Sequence, residues 1–230
     1  MNTFLEIKQI DKTFRPDEEV EVKALQNVNL EIDEGDFAVL SGPSGSGKTT
    51  LLNIIGCLDD ATSGEVILSG QSLTGLPEKK LSLIRRNHIG FVFQAYNLIP
   101  VLTAKENIEY IMKLQGCSQN ECDKRSREVA QKLGIENLLG KLPNQLSGGQ
   151  QQRVAVARAV AAKPKLILAD EPTANLDSKT ATSLMDMMER LNEDEGVTIV
   201  FSSHDPQVID KARHSIVLKD GEIIADERIS

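Results

Sequence analysis

Eight consecutive residues constrain this chain more than any others. Gly42-Pro43-Ser44-Gly45-Ser46-Gly47-Lys48-Thr49 fit the spacing G-x-x-x-x-G-K-[ST] at every fixed position and follow an apolar stretch, Phe37-Ala38-Val39-Leu40. Glycines at 42, 45 and 47 remove the Cβ atoms that would keep a backbone from closing round an anion, so consecutive N–H groups can converge on one phosphate. Thr50-Leu51-Leu52-Asn53-Ile54-Ile55 then runs on without a breaker, which predicts a helix whose N-terminus adds the positive end of a dipole to the same place. The stretch reads as strand, phosphate-binding loop, helix. In that arrangement Lys48 reaches the β- and γ-phosphates of a nucleotide such as ATP, and the Thr49 hydroxyl takes a place on Mg²⁺. An incidental glycine-rich turn would not need a strand before it and a helix after it.

At 230 residues the chain can bury a full core as one large domain or two small lobes. A net charge of −8 argues against a broad basic face for nucleic acid. No run of eighteen apolar residues occurs, and Met1 to Glu6 lack a basic region followed by an apolar one, so the expectation is a protein that stays where it is made and does not span a membrane. Cys57, Cys117 and Cys122 are too few and too oddly spaced for a disulfide framework, and no histidine stands near the last two, so reduced packing or surface thiols are expected.

Residues 4–9 and 28–32 alternate apolar and polar with period two, as half-exposed antiparallel strands do, with a polar loop expected between them. Phe14 begins that loop beside Arg15-Pro16-Asp17-Glu18-Glu19, and residue chemistry alone favours a core position for it. Gly64 to Gly70 and Ile89 to Phe93 read as further strands. From 95 to 160 strand signals give way to helical ones, at Thr103 to Ile108 and from Gln119 to Leu133, with Val129, Ala130 and Leu133 on one face. Strands return at Lys165 to Asp170 and Val197 to Phe201, around a helix from about Ser178 to Leu191 whose Met185 and Met188 are core residues. Continuous apolar strands alternating with helices predict an α/β fold with a mainly parallel sheet covered on both faces, ligands sitting at the carboxyl ends of its strands. The expected organisation is one domain, 1–230: a nucleotide-binding core with an N-terminal antiparallel β subdomain (1–94 and 161–230) and an inserted helical lobe (95–160).

Each remaining polar cluster falls at such a strand end. Asp170 and Glu171 follow buried aliphatics; Asp170 fits a role on Mg²⁺ beside Thr49, and Glu171 is placed to deprotonate the water that attacks the γ-phosphate. Helix-capping or loop acids are the bland alternative. His204, after the last core strand, can hydrogen-bond the γ-phosphate. Gln94 can reach Mg²⁺ or the attacking water through its amide. His88 and His214 have no such placement and read as surface or packing residues.

The second informative stretch is Leu146-Ser147-Gly148-Gly149-Gln150, where a serine and two glycines open a strongly helical run, another anion site of the helix N-terminal kind. One ATP needs only one phosphate loop. The economical solution gives the second to a nucleotide held by another copy of the chain, two copies facing head to tail with two ATP molecules between them.

Gly42 to Thr49, Gln94, Leu146 to Gln150, Leu166 to Glu171, Asn175-Leu176-Asp177 and His204 together resemble the nucleotide-binding subunit of ATP-binding-cassette (ABC) transporters, over essentially the whole chain. The resemblance implies a RecA-like P-loop NTPase core and ATP hydrolysis. It also implies that Phe14 stacks on adenine where the family usually has tyrosine, that Ala174 to Asp177 crosses the dimer joint, and that Ser147 to Gln150 contact the partner's γ-phosphate. Asn53 to Asp59, Phe93 to Pro100 and Asp170 to Asp177 look like the branch serving lipoprotein release and macrolide export, which implies an integral membrane permease as partner and a cytoplasmic place on the inner face of the membrane. Exposed-looking Tyr96, Leu98, Ile99 and Val101 would form the groove for a cytoplasmic helix of that partner, with ordinary lobe packing as the competing reading. Soluble ABC proteins acting on DNA or ribosomes usually carry two cassettes or a long coiled coil, which this chain lacks. A P-loop kinase or GTPase would have no use for Ser147 to Gln150, and a scaffold without turnover none for Glu171 and His204.

Overall fold

The computed structural model describes residues 3–17 and 20–228. Two sheets organise it. The first is antiparallel, in the order β2-β1-β4-β5, from β1 (Thr3–Asp17), β2 (Val20–Asp33), β4 (Ser63–Leu68) and β5 (Gln71–Ser72). Where the polar loop was expected between residues 9 and 28, residues 10–17 and 20–27 are instead strand. The hairpin continues through it in antiparallel register, Phe14 opposite Val22, with breaks in register on the way. Lys-Thr-Phe and Val-Glu-Val-Lys-Ala are adequate strand formers; Glu21 and Lys23 are exposed, and the Lys12 ammonium is paired with the Asp59 carboxylate. Glu18 and Glu19 of that expected loop, and Met1 and Asn2 of the N-terminal reading, lie outside the described residues.

The second sheet has the order β10-β9-β3-β8-β7-β6. Its members are β3 (Phe37–Ser41), β6 (Ile89–Val92), β7 (Leu166–Ala169), β8 (Thr198–Ser202), β9 (His214–Lys219) and β10 (Glu222–Arg228). All pairs are parallel except β9 with β10. Its central strands are buried on both faces, and the pleat sorts their residues between two cores. Phe37, Val39, Ile167, Ala169, Ile199 and Phe201 join one; Ala38, Leu40, Leu166, Leu168 and Val200 join the other.

The second core is filled by the antiparallel sheet and α1 (Lys48–Ile55), the helix expected after the phosphate loop. The first is filled by α3 (Ala104–Leu114), α4 (Gln119–Lys132), α5 (Gly148–Ala161) and α6 (Ser178–Glu195), including Val129, Ala130, Leu133, Met185 and Met188. The apolar interior of residues 95–160 is therefore continuous with that of the parallel sheet. α2 (Glu78–His88), polar on most of its surface with Leu81 buried, carried no periodic signal strong enough to be expected. A short α7 (Pro206–Ile209) follows β8.

Candidate functional site

The phosphate loop is pressed against two neighbours that dictate its glycines. Gly42 has φ 137°, and a Cβ there would lie 2.0 Å from the Leu218 carbonyl oxygen of β9; Gly47 has φ 107°, and a Cβ would lie 2.6 Å from the Ala24 carbonyl oxygen of β2. Neither place tolerates a side chain. Gly47 ends the loop as the N-cap of α1 without a side-chain cap, which leaves the first N–H groups of the helix free to point at an anion.

Lys48 is nearly buried, and its ammonium donates to the carbonyls of Gly42 (2.8 Å) and Pro43 (3.0 Å). Among the described residues no carboxylate pairs with it. The buried Ser46 hydroxyl in the same loop has no hydrogen-bond partner among the described residues either. A nearly buried cation whose partners are two neutral carbonyls, beside an orphaned hydroxyl, is a group waiting for an anion, because a desolvated charge is costly without one. The loop lines an open cleft of about 630 Å³ together with Val22, Lys23, Ala24, Thr49, Thr50, Gln94, Glu171 and His204. Parallel pairing of β3, β8, β7 and β6 is what brings Thr49, His204, Asp170 and Gln94 to one edge, since all follow the carboxyl ends of adjacent strands.

Within the cleft the acids are tightly held. The Thr49 hydroxyl donates to the Asp170 carboxylate at 3.0 Å, and the Ser202 hydroxyl donates to the same carboxylate at 2.7 Å. Glu171 has φ 45°, a left-handed backbone rarely adopted by a residue with a Cβ; its N–H donates to Ser202 Oγ at 2.8 Å. Its carboxylate accepts from His204 Nδ1 at 3.0 Å, which assigns the proton to that nitrogen and leaves Nε2 facing out from an exposed ring. Gln94 is joined to the segment after Glu171 through its carbonyl, which accepts from Asn175 Nδ2 at 3.1 Å.

Phe14 is not core. It is 41% exposed, and the Lys12 ammonium sits 4.7 Å from its ring centroid while also binding the Asp59 carboxylate and the Asp60 carbonyl. Phe14 does not itself line the cleft; Val22, opposite it on β2, does. Val22, Lys23 and Ala24 were missed because they fell in the expected loop, although the alternation Val20, Val22, Ala24 was a readable strand signal.

The second glycine-led helix opens on a different cleft of about 510 Å³, lined by Ser147 to Gln150, Arg153, Asn175 and Asp177, and shares no residue with the first. Here the cap is complete. Ser147 Oγ accepts from the Gln150 N–H at 3.3 Å, and the Gln150 side chain accepts from the Ser147 N–H at 3.0 Å. A Cβ on Gly148 would lie 2.8 Å from the Tyr96 hydroxyl, and one on Gly149 2.7 Å from Thr180 Cγ2. Asp177 caps α6 through the Thr180 N–H and hydroxyl, which hold its carboxyl below the usual range.

Of the four residues expected to be exposed after Gln94, Val101 is 80% exposed, whereas Leu98 packs on the core, so lobe packing is the right account of Leu98. Ile99 lines an apolar groove of about 480 Å³ with Phe91, Phe93, Tyr110, Leu114 and Leu58; Tyr96 is half-buried and lies elsewhere. His214 is a packing residue: it is buried between Asp36 (3.1 Å) and Asp226 (2.6 Å). The cysteines are free thiols, and burial pushes Cys57 up to about 11, which makes it inert at neutral pH.

No helix among the described residues is long and apolar enough to cross a membrane. A protein-family model described as ABC transporter matches residues 25–174, and an AAA-domain model matches residues 142–210. The chain is 49% identical to MJ0796, an uncharacterised ABC transporter ATP-binding protein of Methanocaldococcus jannaschii, over 98% of this chain and 97% of that one. It is 44% identical to the macrolide export ATP-binding/permease protein MacB of Aggregatibacter actinomycetemcomitans over 96% of this chain, which spans 34% of MacB. A dimeric structure of MJ0796 in a post-hydrolysis state, bound to ADP and Pi, superposes with a TM-score of 0.91 at 47% identity, covering 98% of this chain and 99% of that one. With its phosphate loop, its paired acids and its second glycine-led helix in place, this chain belongs to the ABC transporter family, as an ATP-binding subunit with ATPase activity.

Proposed function

We propose that this chain is the motor of a membrane assembly in which ATP closes two copies head to tail and hydrolysis lets them part. The observation that carries the reading is the nearly buried Lys48 ammonium, bonded to two backbone carbonyls in a glycine loop at a helix N-terminus. Gly42 to Thr50 cradle the phosphates, with Phe14 offering a ring face to the base. The oxygens of Thr49 and Asp170, already within 3.1 Å of one another, are hard donors that fit Mg²⁺, and Gln94 stands at the same edge. When bound, that ion would neutralise charge on the β- and γ-phosphates. Glu171 takes the proton of the attacking water; His204 Nδ1–H keeps its carboxylate oriented, and the outward Nε2 is available to the γ-phosphate.

Ser147 to Gln150 line a cleft that shares no residue with this one, which supports their serving the nucleotide of a second copy; the dimeric state of MJ0796 supports a paired chain. We further assign the apolar groove beside Ile99 to a cytoplasmic helix of an integral membrane permease, and place the chain on the inner face of the cell membrane as one domain, 1–230, with residues 95–160 as its helical lobe. The match to MacB, a macrolide export ATP-binding/permease protein, supports a permease partner of the efflux type; lipoprotein release and force transmission are the other forms such a partner could take, and the net charge of −8 speaks against nucleic acid.

The test is Glu171→Gln. Hydrolysis should fall by at least about a hundredfold, as loss of a general base does. ATP should still bind, and the variant should elute as a dimer with ATP and Mg²⁺. A variant that stays monomeric on a sizing column with ATP sinks the head-to-tail reading.

A further inference from the structure

Behind Asp170 and Glu171 lies a buried hydroxyl to which the sequence assigns no task. Ser202 ends β8, a strand otherwise composed of Thr198, Ile199, Val200 and Phe201, and it is fully buried. A hydroxyl at such a place needs partners, and both of its partners bear the acids of the cleft. Its O–H donates to Asp170 Oδ1 at 2.7 Å, and its oxygen accepts the Glu171 N–H at 2.8 Å. A serine carries one proton, so the direction of both bonds is fixed: the proton lies towards the carboxylate, the lone pair towards the amide. The residue donating that second bond is the one held at φ 45°. Beyond it the chain is tied again, by Ala174 N–H to the Glu171 carbonyl (3.2 Å) and by the buried Gln152 amide to the Pro172 carbonyl (2.7 Å). The turn that aims the Glu171 side chain is thus clamped on both sides, and Ser202 is the clamp that also grips Asp170.

We propose that Ser202 is a positioning residue for ATP hydrolysis: one hydroxyl sets both the Asp170 carboxylate towards Thr49 and the left-handed turn from which Glu171 projects, so that the groups on the metal side and the water side move as one unit. The proposal rests on Glu171 being the base. Removing the hydroxyl leaves a part-buried N–H without its partner and takes the shorter of two hydroxyl contacts from Asp170 Oδ1, which disturbs the geometry of the reaction more than the grip on ATP, since Ser202 makes no hydrogen bond to the phosphate loop itself.

Three variants and two readouts test it. In steady-state hydrolysis Ser202→Ala should lower kcat about tenfold with KM for ATP within about twofold. Ser202→Cys keeps the shape but replaces the oxygen by a poor acceptor, and should fall between the two; it also serves if the alanine variant does not fold. The second readout is Mn²⁺ binding followed by electron paramagnetic resonance in the presence of ATP, where adding Ser202→Ala to Glu171→Gln should weaken the ion severalfold. A Ser202→Ala enzyme with wild-type kcat, a loss confined to KM, or a Ser202→Cys enzyme with full kcat overturns the role of Ser202. If Glu171→Gln alone hydrolyses ATP at the wild-type rate, the assignment of Glu171 falls and this proposal with it; an inactive Glu171→Gln beside an unaffected Ser202→Ala removes only Ser202.

Discussion

The phosphate loop and the Ser147 loop are built from the same parts, glycines at the start of a helix, yet they are in opposite states of satisfaction. At the first, among the described residues, Gly47 provides no side-chain cap, the helix donors are open, Ser46 Oγ is unpaired and a nearly buried cation has no acid beside it. At the second, Ser147 and Gln150 cap one another reciprocally, and Arg153 nearby is engaged by the Leu133 carbonyl and the Ser183 hydroxyl. What makes an anion site is the polar capacity a loop has left over after folding, and only the first loop has much.

The sharpest way to break this contrast is Lys48→Ala. Removing the one cation of the open loop should weaken ATP binding to the isolated chain by roughly tenfold to a hundredfold, the scale of one or two charge-assisted hydrogen bonds. Titration with a fluorescent ATP analogue reads it, and an unchanged affinity would remove Lys48 from its role. Ser147→Ala comes next and should behave differently. Affinity of the dilute chain for ATP should stay within about twofold, while the lost cap costs about 1 kcal/mol of stability in denaturant melts. If it weakens ATP binding as Lys48→Ala does, the two loops are not unlike after all.

The smallest effect lies away from both loops. Burial pulls His214 down, but its bonds to Asp36 and Asp226 outweigh this and hold its pKa above the ordinary value. A raised folded-state pKa gives stabilisation that is complete below the unfolded value of about 6.5 and is lost as pH rises through the folded one. Between about pH 6 and pH 9 the melting temperature of the native chain should therefore fall a few degrees further than that of His214→Gln, with ATP affinity following the same course in both. A pH response of ATP affinity that vanishes in His214→Gln would join this cluster to the open loop and blur the comparison.

Much of the molecule was legible before any coordinates. The phosphate loop, the central strands and the capping of α5 are written in contiguous residues, where period and spacing carry the physics. The hairpin beyond residue 9 was misread because charged side chains on a hairpin look like a loop, and Phe14 because an aromatic side chain is a core residue by default. Leu98, for which an open groove and ordinary lobe packing were both readable, is settled only by the fold, which packs it partly buried against the core.

The amino-acid order alone pointed to a nucleotide-binding loop, to Lys48 as the lysine proposed to grip the phosphates, and to the family of ATPases, since a glycine loop between a strand and a helix needs only its neighbours along the chain to form. Which groups meet across the cleft was decided by tertiary structure. Ser202 stands thirty-two residues from Asp170, and nothing local says that β8 lies beside β7 or that its last side chain points at the acids. Strand order and the phase of the pleat set that contact, and both follow from how the apolar faces of the whole sheet are shared between its two cores.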